Sequence, residues 1–252
     1  MNRIINDNNQ KEFYVLPNDS DCYLEQQETR SKQKTIWINE FAGDINALEL
    51  PLDFARPSIK GYHSNSLKIE LSPEETQKLK VISYEEGTSM YILLLSVFNI
   101  FISKLSNQED IIVGAPFAVS KIENAEDTTE GYINTLPLRN YPKGELGFRE
   151  FLSTLKVRTL TSLNNKSYPY ENLIKELKLD PDISRNPLFD VMFLYQDMDE
   201  LEYGVPTLDF HPHSRRNDIT KFNLTLSVDL SLLATEANGK LFLTLEYSTE
   251  LF

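Results

Sequence analysis

The side chains most able to do chemistry in this sequence are two histidines and one cysteine. His211 and His213 are separated by one residue, so on a strand both imidazoles would share a face and could bind a metal ion. No cysteine lies near them and no third ligand follows in the sequence, so no metal site is predicted. Cys22 lies in the acidic stretch NDSDCYLEQ, where neighbouring carboxylates disfavour the thiolate that a nucleophile requires.

The composition excludes several classes of protein. Of the 252 residues, 40% are hydrophobic and 11% aromatic, which is typical of a packed globular chain. The net charge of −13 argues against a nucleic-acid partner, because binding phosphates requires lysine and arginine. The longest apolar run, Met90 to Ile102, is shorter than the roughly 18–20 residues that a membrane span needs. A single cysteine fits a reducing compartment, so we expect a cytoplasmic protein without a membrane partner.

The elements that must position any functional residue alternate between helices and strands in the first half of the chain. Ser72, Pro73 and Glu75 have the pattern of a capping box, which predicts the start of a helix that ends at Gly87. Thr88 or Ser89 would cap a second, buried helix. The other predicted elements are a helix from Cys22 to Phe41, an extended segment from Leu48 to Pro57, a half-buried strand from Ser66 to Ser72, and a short strand from Asp110 that Gly114 and Pro116 close.

The second half of the chain is richer in strands. Pro137 in the strand Tyr132–Asn140 indicates a sheet edge or a bulge. The dipeptide Asn238-Gly239 predicts a hairpin turn before a final strand. The remaining elements are helices at Phe148–Leu163 and Tyr170–Leu177, a strand at Leu188–Tyr195, and the sharply alternating strand KFNLTLSVDL at residues 221–230. Buried helices between strands, followed by a run of strands, predict one compact α/β lobe.

Five stretches resemble, in the same order and spacing, the nonribosomal peptide synthetase condensation domains. The most specific is SYPYENLIKELKLDPDISRNPLFDVMF, because DYPFE followed by RDxSRNPLFDVMF is a hallmark of that family. The five are Ser167–Phe193, Trp37–Pro57, Asn107–Ala118, Ile133–Leu152 and Leu245–Phe252. Residues 35–252 are therefore identified as similar to the carboxyl-terminal lobe of such a domain. Residues 1–34 form a polar leader, with a faint likeness to the start of the same domain.

The resemblance implies a fold, a reaction and partners. The fold would be an open mixed sheet flanked by helices, one lobe of a chloramphenicol-acetyltransferase-like two-lobed fold. Two such lobes form a V around a tunnel. An acceptor amine there attacks a donor thioester, which is amide-forming acyl transfer. The substrates arrive on the phosphopantetheine arms of aminoacyl and peptidyl carrier proteins, so no cofactor is expected to bind the lobe directly. A missing amino-terminal lobe, or a second copy of the chain, would be the other partner.

The chain departs from the family at the positions that matter for catalysis. The family signature HHxxxDG is absent, since the three histidines (His63, His211 and His213) are not adjacent. Ser120 stands where the family has an arginine that resembles the partner of the signature aspartate. Pro181 replaces the arginine of RDxS, and the glycine of IGMFVNT is displaced by one position. No catalytic residue is therefore predicted, and whether the chain is an enzyme by itself is left open.

Five polar residues are candidates either for lining the tunnel or for a structural role: Asn134, Arg139, Ser184, Arg185 and Asn186. Asn134 stands between apolar neighbours on a strand, so its side chain points away from theirs, toward the acyl channel or the interior of the sheet. Arg139 is predicted to form a structural ion pair or cap. The residues from Ser184 to Asn186 would form a turn that Pro187 separates from the preceding helix, or would face the tunnel.

Two functions follow as hypotheses. The first is part of a condensation domain that forms peptide bonds, inactive alone because it lacks HHxxxDG. The second is a stand-alone degenerate lobe that binds carrier proteins or assists assembly. Self-association is a third route, since half of a V exposes an apolar face.

Overall fold

The computed structural model describes residues 19–61, 63–120, 131–179, 182–197 and 228–252. Its helices are α1 (Asp19–Glu40), α2 (Pro73–Glu85), α3 (Met90–Ser106), α4 (Phe148–Asn164) and α5 (Tyr170–Leu177). Its strands are β1 (Ser64–Leu71), β2 (Ile111–Ser120), β3 (Gly131–Asn140), β4 (Val191–Asp197), β5 (Leu230–Ala237) and β6 (Lys240–Ser248). Helix α1 crosses the predicted boundary between residues 34 and 35, and the division of the chain there stays a prediction.

The described strands form one six-stranded sheet in the order β1-β6-β5-β4-β2-β3. Strand β4 runs parallel to both of its neighbours, β2 and β5, whereas the other pairs are antiparallel. With helices packed against it, this sheet confirms the predicted open mixed α/β architecture. The parallel strands are central, and both outer strands pair antiparallel with one neighbour only.

The predicted capping signals are confirmed. The Ser72 hydroxyl accepts a hydrogen bond from the Glu75 amide, and the Glu75 carboxylate accepts one from the Ser72 amide. Ser89 caps α3 by accepting from the amide of Ile92. Between the two helices Gly87 takes a φ of +57°, which glycine adopts without a Cβ clash. Each side-chain cap stabilises its helix by about 1 kcal/mol.

Helix α3 supplies much of the core on the face of the sheet that β2 and β4 share. The ring centroids of Phe98 and Phe193 are 5.9 Å apart, and Tyr91 lies 5.4 Å from Phe193 and 5.6 Å from Phe117. Aromatic pairs at these distances add to the burial energy of the apolar area itself. The prediction that α3 is buried holds for most of its apolar residues, but Val97 and Phe101 face solvent.

Three strand predictions were wrong in detail. Strand β1 is exposed rather than half-buried, with Leu67 and Ile69 58% and 60% exposed, because its pairing with β6 covers only one backbone edge and leaves both of its faces open. Strand β2 is not closed by Pro116. Since β4 pairs with β2 only at Val113 and Gly114, the side of β2 that faces β4 is already unpaired at Pro116, and the strand continues to Ser120.

Strand β4 begins at Val191 instead of Leu188, because residues 188–190 belong to a bend that positions Asp190. Residues 221–227 of the predicted strand KFNLTLSVDL lie outside the described residues, and β5 begins at Leu230.

The other elements agree with their predictions. Pro137 lies in β3, the strand at the sheet edge. Asn238 and Gly239 take positive φ angles of 52° and 71° in the hairpin that joins β5 to β6. No single helix among the described residues is both long and apolar enough to cross a membrane. Helices α2 and α3 pass that test only as a pair, which is bent by 101°.

Candidate functional site

The turn at Ser184–Pro187 is stabilised by the residue two positions before it. The Asp182 Oδ1 atom accepts hydrogen bonds from the Ser184 amide at 2.8 Å and from the Ser184 hydroxyl at 2.6 Å. These bonds favour the ionised carboxylate, so they lower the pKa of Asp182. Pro187 then directs the chain into the sheet, where a Cβ on Gly114 would meet the Phe189 ring at 2.4 Å. Only glycine leaves room for this ring on β2.

Arg185 connects the turn to two other parts of the molecule. Its Nη1 atom donates to the Leu48 carbonyl at 2.9 Å and to Asp190 Oδ2 at 2.8 Å. The carboxylate of Asp190 is buried, and burial raises its pKa, with a further increase from the nearby Asp229 and an opposing effect from Arg185. Arg185 therefore balances a charge that would be costly without a partner.

Asp229 is the most deeply buried charge among the described residues, with a fully inaccessible side chain. It accepts two hydrogen bonds from Arg56, at 3.1 and 2.5 Å, and its Oδ1 atom lies 3.0 Å from Lys60 Nζ. Its amide donates to the Asp190 carbonyl at 2.8 Å. Asp190 and Asp229 thus occupy equivalent positions, each one residue before one of the parallel strands β4 and β5.

We call these five groups the charge cluster: Arg56, Lys60, Arg185, Asp190 and Asp229. It fastens the extended segment after α1 and the turn at Ser184 to the starts of two central strands. Both oxygens of Asp229 are bound to cations, so that carboxylate is not free to accept a substrate proton, whereas Asp190 is paired with Arg185 through Oδ2 alone. Asp190 Oδ1 has no hydrogen-bond partner among the described residues. The geometry is that of a structural ion network.

Asn134 joins β3 to the connection between α4 and α5. Its Nδ2 atom donates to the carbonyls of Lys166 and Tyr168, both at 2.7 Å, and its Oδ1 atom accepts from the Tyr170 amide at 3.1 Å. The side chain is 4% exposed, so its amide has little access to bulk water and depends on these backbone partners. Asn134 uses its whole amide to hold the SYPYE segment in place.

Arg139 is enclosed on the opposite face of β3. It donates to both oxygens of Asp110, at 2.9 and 2.6 Å, and to the carbonyls of Glu40 and Asp44. Its guanidinium lies 5.9 Å from the Phe41 ring and 5.6 Å from the Tyr141 ring, within the range of cation–π attraction. The hydrogen bond to Asp110 raises the pKa of Arg139, which stays charged at any physiological pH.

The structure does not bring the five candidate residues together. Ser184, Arg185 and Asn186 belong to one turn, whereas Asn134 and Arg139 lie on the edge strand, and no described hydrogen bond joins the groups. Their proposed place along a tunnel stays a prediction. His211 and His213 fall outside the described residues, as do the side chains of Cys22 and Ser120. Among the described residues no group of acidic, histidine or cysteine side chains could hold a metal ion.

Sequence reasoning missed four members of the charge cluster. Asp190 and Asp229 sit inside apolar stretches, FDVMF and VDL, and a charge in such a stretch is a signal for a buried, paired group. Arg56 and Lys60 carry no such signal, because a cation in a proline-bounded segment is ordinarily solvated.

The match to known families agrees with this architecture. A family model described as the condensation domain matches residues 14–252. This chain belongs to the condensation-domain family. Peptide-bond formation is the reaction of the condensation-domain family in nonribosomal peptide synthetases. The order of the motifs from Trp37 to Phe252 agrees with membership of this family.

The curated relatives of this condensation-domain chain are very large synthetases. Tyrocidine synthase 3 of Brevibacillus parabrevis is 38% identical over 227 residues, and bacitracin synthase 2 of Bacillus licheniformis is 39% identical over 227 residues. Each match covers 90% of this chain but only 3% and 8% of those relatives. Both names denote antibiotic synthetases, so the relationship concerns one small part of a longer assembly.

Solved structures with the same fold include members of nonribosomal systems. The X-domain in complex with OxyB, from teicoplanin biosynthesis, superposes with a TM-score of 0.73 at 19% identity, covering 92% of this chain and 50% of that one. A four-domain nonribosomal peptide synthetase bound to AMP and glycine gives a TM-score of 0.71 at 20% identity, covering 96% and 20%. At these identities the likeness establishes the fold of this condensation-domain chain.

Proposed function

We propose that this chain forms the carboxyl-terminal half of a condensation domain that joins carrier-bound substrates through a peptide bond. The supporting observation is the family match over residues 14–252, together with a six-stranded lobe that corresponds to half of a similar solved chain. The substrates would be thioesters on phosphopantetheine arms of carrier proteins. The lobe would provide one wall of the tunnel and bind no cofactor directly.

We further propose that this polypeptide does not form peptide bonds by itself. Its three histidines are not adjacent, and Ser120 stands in place of the arginine that the motif would need. The buried carboxylates of Asp190 and Asp229 each lie in an ion pair with Arg185, Arg56 or Lys60, which supports a structural role and not the replacement of the missing imidazole. A partner that supplies HHxxxDG would complete the site, either a separate amino-terminal lobe or one joined to the same assembly.

The test is a condensation assay with an aminoacyl carrier and a donor carrier, both loaded chemically, and mass spectrometry of the released thioester. We expect no dipeptidyl product from the purified chain. Product should form when the amino-terminal half of a related condensation domain is added, and an intact related domain is the positive control. Robust turnover by the chain alone would disprove the proposal of inactivity.

A binding function is the second candidate, and one observation favours it. The X-domain, which has a similar fold, was solved as a complex with the separate protein OxyB. A protein with this fold can therefore carry a docking surface. By that analogy, this chain would bind a carrier protein or an assembly partner without catalysis. Titration of an isotope-labelled carrier with the chain would detect binding by NMR, and spectra that stay unchanged at millimolar concentration would exclude it.

Self-association is the remaining way to provide a second lobe. Leu67 and Ile69 on the exposed edge strand β1 offer apolar area that a second copy would cover. Sedimentation velocity across a wide concentration range distinguishes the cases. A strictly monomeric profile would leave only the separate amino-terminal lobe.

A further inference from the structure

Helices α1 and α5 border an open groove that none of the preceding functions uses. The groove has a volume of about 470 Å³. Three cationic side chains line it, Arg30 and Lys34 from α1 and Lys175 from α5, against a single carboxylate from Glu176. The chain as a whole carries 38 acidic against 25 basic residues, so a local excess of two positive charges runs against its general character. We call this feature the α1–α5 groove.

The floor of the α1–α5 groove is fixed by hydrogen bonds. Tyr168 is buried there, and its carbonyl accepts from Asn134 at 2.7 Å. Gln33 Nε2 donates to Ser167 Oγ at 2.8 Å, and the Trp37 indole donates to the Asn165 carbonyl at 3.1 Å. These bonds tie α1 to the segment before α5. The groove is thus present before any ligand arrives, which reduces the entropy cost of binding.

Neutral polar side chains in the groove add further hydrogen-bond donors. The Tyr168 hydroxyl and the Asn172 amide complement the three cations. Burial and the neighbouring Glu176 raise the pKa of Tyr168, so this hydroxyl keeps its proton at neutral pH. A ligand with many acceptor oxygens and negative charge fits such a set, and phosphate groups have both properties.

Glu176 is the internal competitor for such a ligand. Its Oε1 atom lies 2.5 Å from Lys34 Nζ, with the two side chains 40% and 41% exposed. An exposed pair of this kind is weak, so a doubly charged anion can replace the carboxylate as the partner of Lys34. Arg30 and Lys175 form no ion pair with any described residue and are available from the start.

We propose that the α1–α5 groove is a binding site for a phosphate group. The phosphate would lie among Arg30, Lys34 and Lys175, with Tyr168 and Asn172 as additional donors. Two sources share this chemistry: free inorganic phosphate and the phosphate of a phosphopantetheine arm. Only the second source rests on the function proposed above.

The experiment is a titration of the isotope-labelled chain, at low ionic strength, with inorganic phosphate, with phosphopantetheine and with pantetheine. We expect saturable shifts of the amides around Arg30–Lys34 and Tyr168–Glu176 with the first two ligands and none with pantetheine. Phosphopantetheine that binds more tightly than phosphate would identify the arm as the source, whereas equal affinities would identify a general phosphate site. Both outcomes support the site, and neither depends on catalysis.

Variants make the assignment specific. Arg30→Gln and Lys175→Gln should each weaken phosphate binding about fivefold, the effect of one unit charge about 4 Å away in water. Glu176→Gln should strengthen binding by a similar factor, because it removes the competing anion. Lys143→Gln changes an exposed lysine outside the groove and is the matched control. Circular dichroism confirms that each surface variant is folded.

Three results would overturn the proposal. The first is the absence of a saturable shift with phosphate. The second is equal binding of pantetheine, which would show that the phosphate is irrelevant. The third is an equal loss of affinity in Arg30→Gln, Lys175→Gln and Lys143→Gln, which would indicate nonspecific attraction by the surface.

Discussion

The charge cluster and the α1–α5 groove contain the same types of charged side chain, but these side chains have different roles in the two regions. In the cluster Asp229 is fully buried, and Arg56, Lys60 and Arg185 each lie against a carboxylate. In the groove Lys34 and Glu176 are about two-fifths exposed, and the other cations form no described ion pair. Burial makes a charge depend on its internal partners, whereas exposure leaves it free to attract something from solution.

The largest effect on stability is expected from Asp229→Ala. The substitution leaves Arg56 and Lys60 without their common partner at a site with little water. We expect a loss of about 3–5 kcal/mol in the free energy of unfolding, measured by urea denaturation.

Glu145→Ala is the matched control, because Glu145 is exposed and forms no described ion pair, and its effect should stay within about 0.5 kcal/mol. Equal free energies of unfolding for the two variants would show that the buried ion network contributes no more to stability than an exposed charge does.

Asn134→Ala should be the next most damaging change. It leaves two carbonyls and one amide of the α4–α5 connection without a partner in a buried region. The expected cost is about 2–3 kcal/mol in urea denaturation. The same variant should weaken phosphate binding in the groove, because Asn134 holds the Tyr168 carbonyl in place. Asn164→Ala, at the exposed end of α4, is the control and should change neither the free energy of unfolding nor phosphate binding. A stable Asn134→Ala variant with unchanged NMR signals from Tyr168 would refute this coupling.

The two aspartates beside the turn should respond to pH with opposite signs. The pKa of Asp190 is raised in the folded state, so its stabilising contribution is complete below about pH 4, the ordinary aspartate value, and is lost as pH rises through the raised pKa. The pKa of Asp182 is lowered, so its contribution is present above that value and is lost as pH falls.

The comparison requires Asp190→Asn and Asp182→Asn, each measured against the wild-type chain between pH 3 and 7. The advantage of wild type over Asp190→Asn should shrink as pH rises, and its advantage over Asp182→Asn should grow. Parallel curves for the two variants would show that burial does not separate the two carboxylates.

The smallest effect is expected from the exposed pair in the groove. Lys34→Met removes the ion pair with Glu176, which solvent already screens, so the free energy of unfolding should change by no more than about 0.5 kcal/mol. Arg185→Met, which removes the partner of the buried Asp190, should cost several times more in the same urea experiment. A larger loss from Lys34→Met would mean that the groove is structural.

The parts of the fold that local chemistry determines were predictable. Ser72, Glu75 and Ser89 correctly predicted where two helices begin, because a helix cap depends on only a few neighbouring residues. The hairpin turn at Asn238-Gly239 is equally predictable, because it depends only on the conformations of these two residues. The exposure of Leu67 was not predictable, because alternation shows which residues share a face but not whether another element covers that face.

The candidate site was also predictable only in part. The ordered motifs identified the family, but the partners of Arg185 come from Leu48 and Asp190, and those of Arg139 from Asp110, Glu40 and Asp44. Such contacts depend on tertiary folding over long sequence separations. The α1–α5 groove left no motif at all, since its cations are spaced across two helices that only the fold brings side by side.

The pairing of β1 with β6 has a consequence for biosynthesis. Ser64 is paired with Ser248, so the edge strand β1 has its described partner far along the chain. On the ribosome β1 emerges long before β6, so its backbone hydrogen-bonding groups stay unpaired, and its Leu67 and Ile69 are exposed even in the folded sheet. Nascent chains of this kind are exposed to mispairing and to chaperone capture until β6 is released.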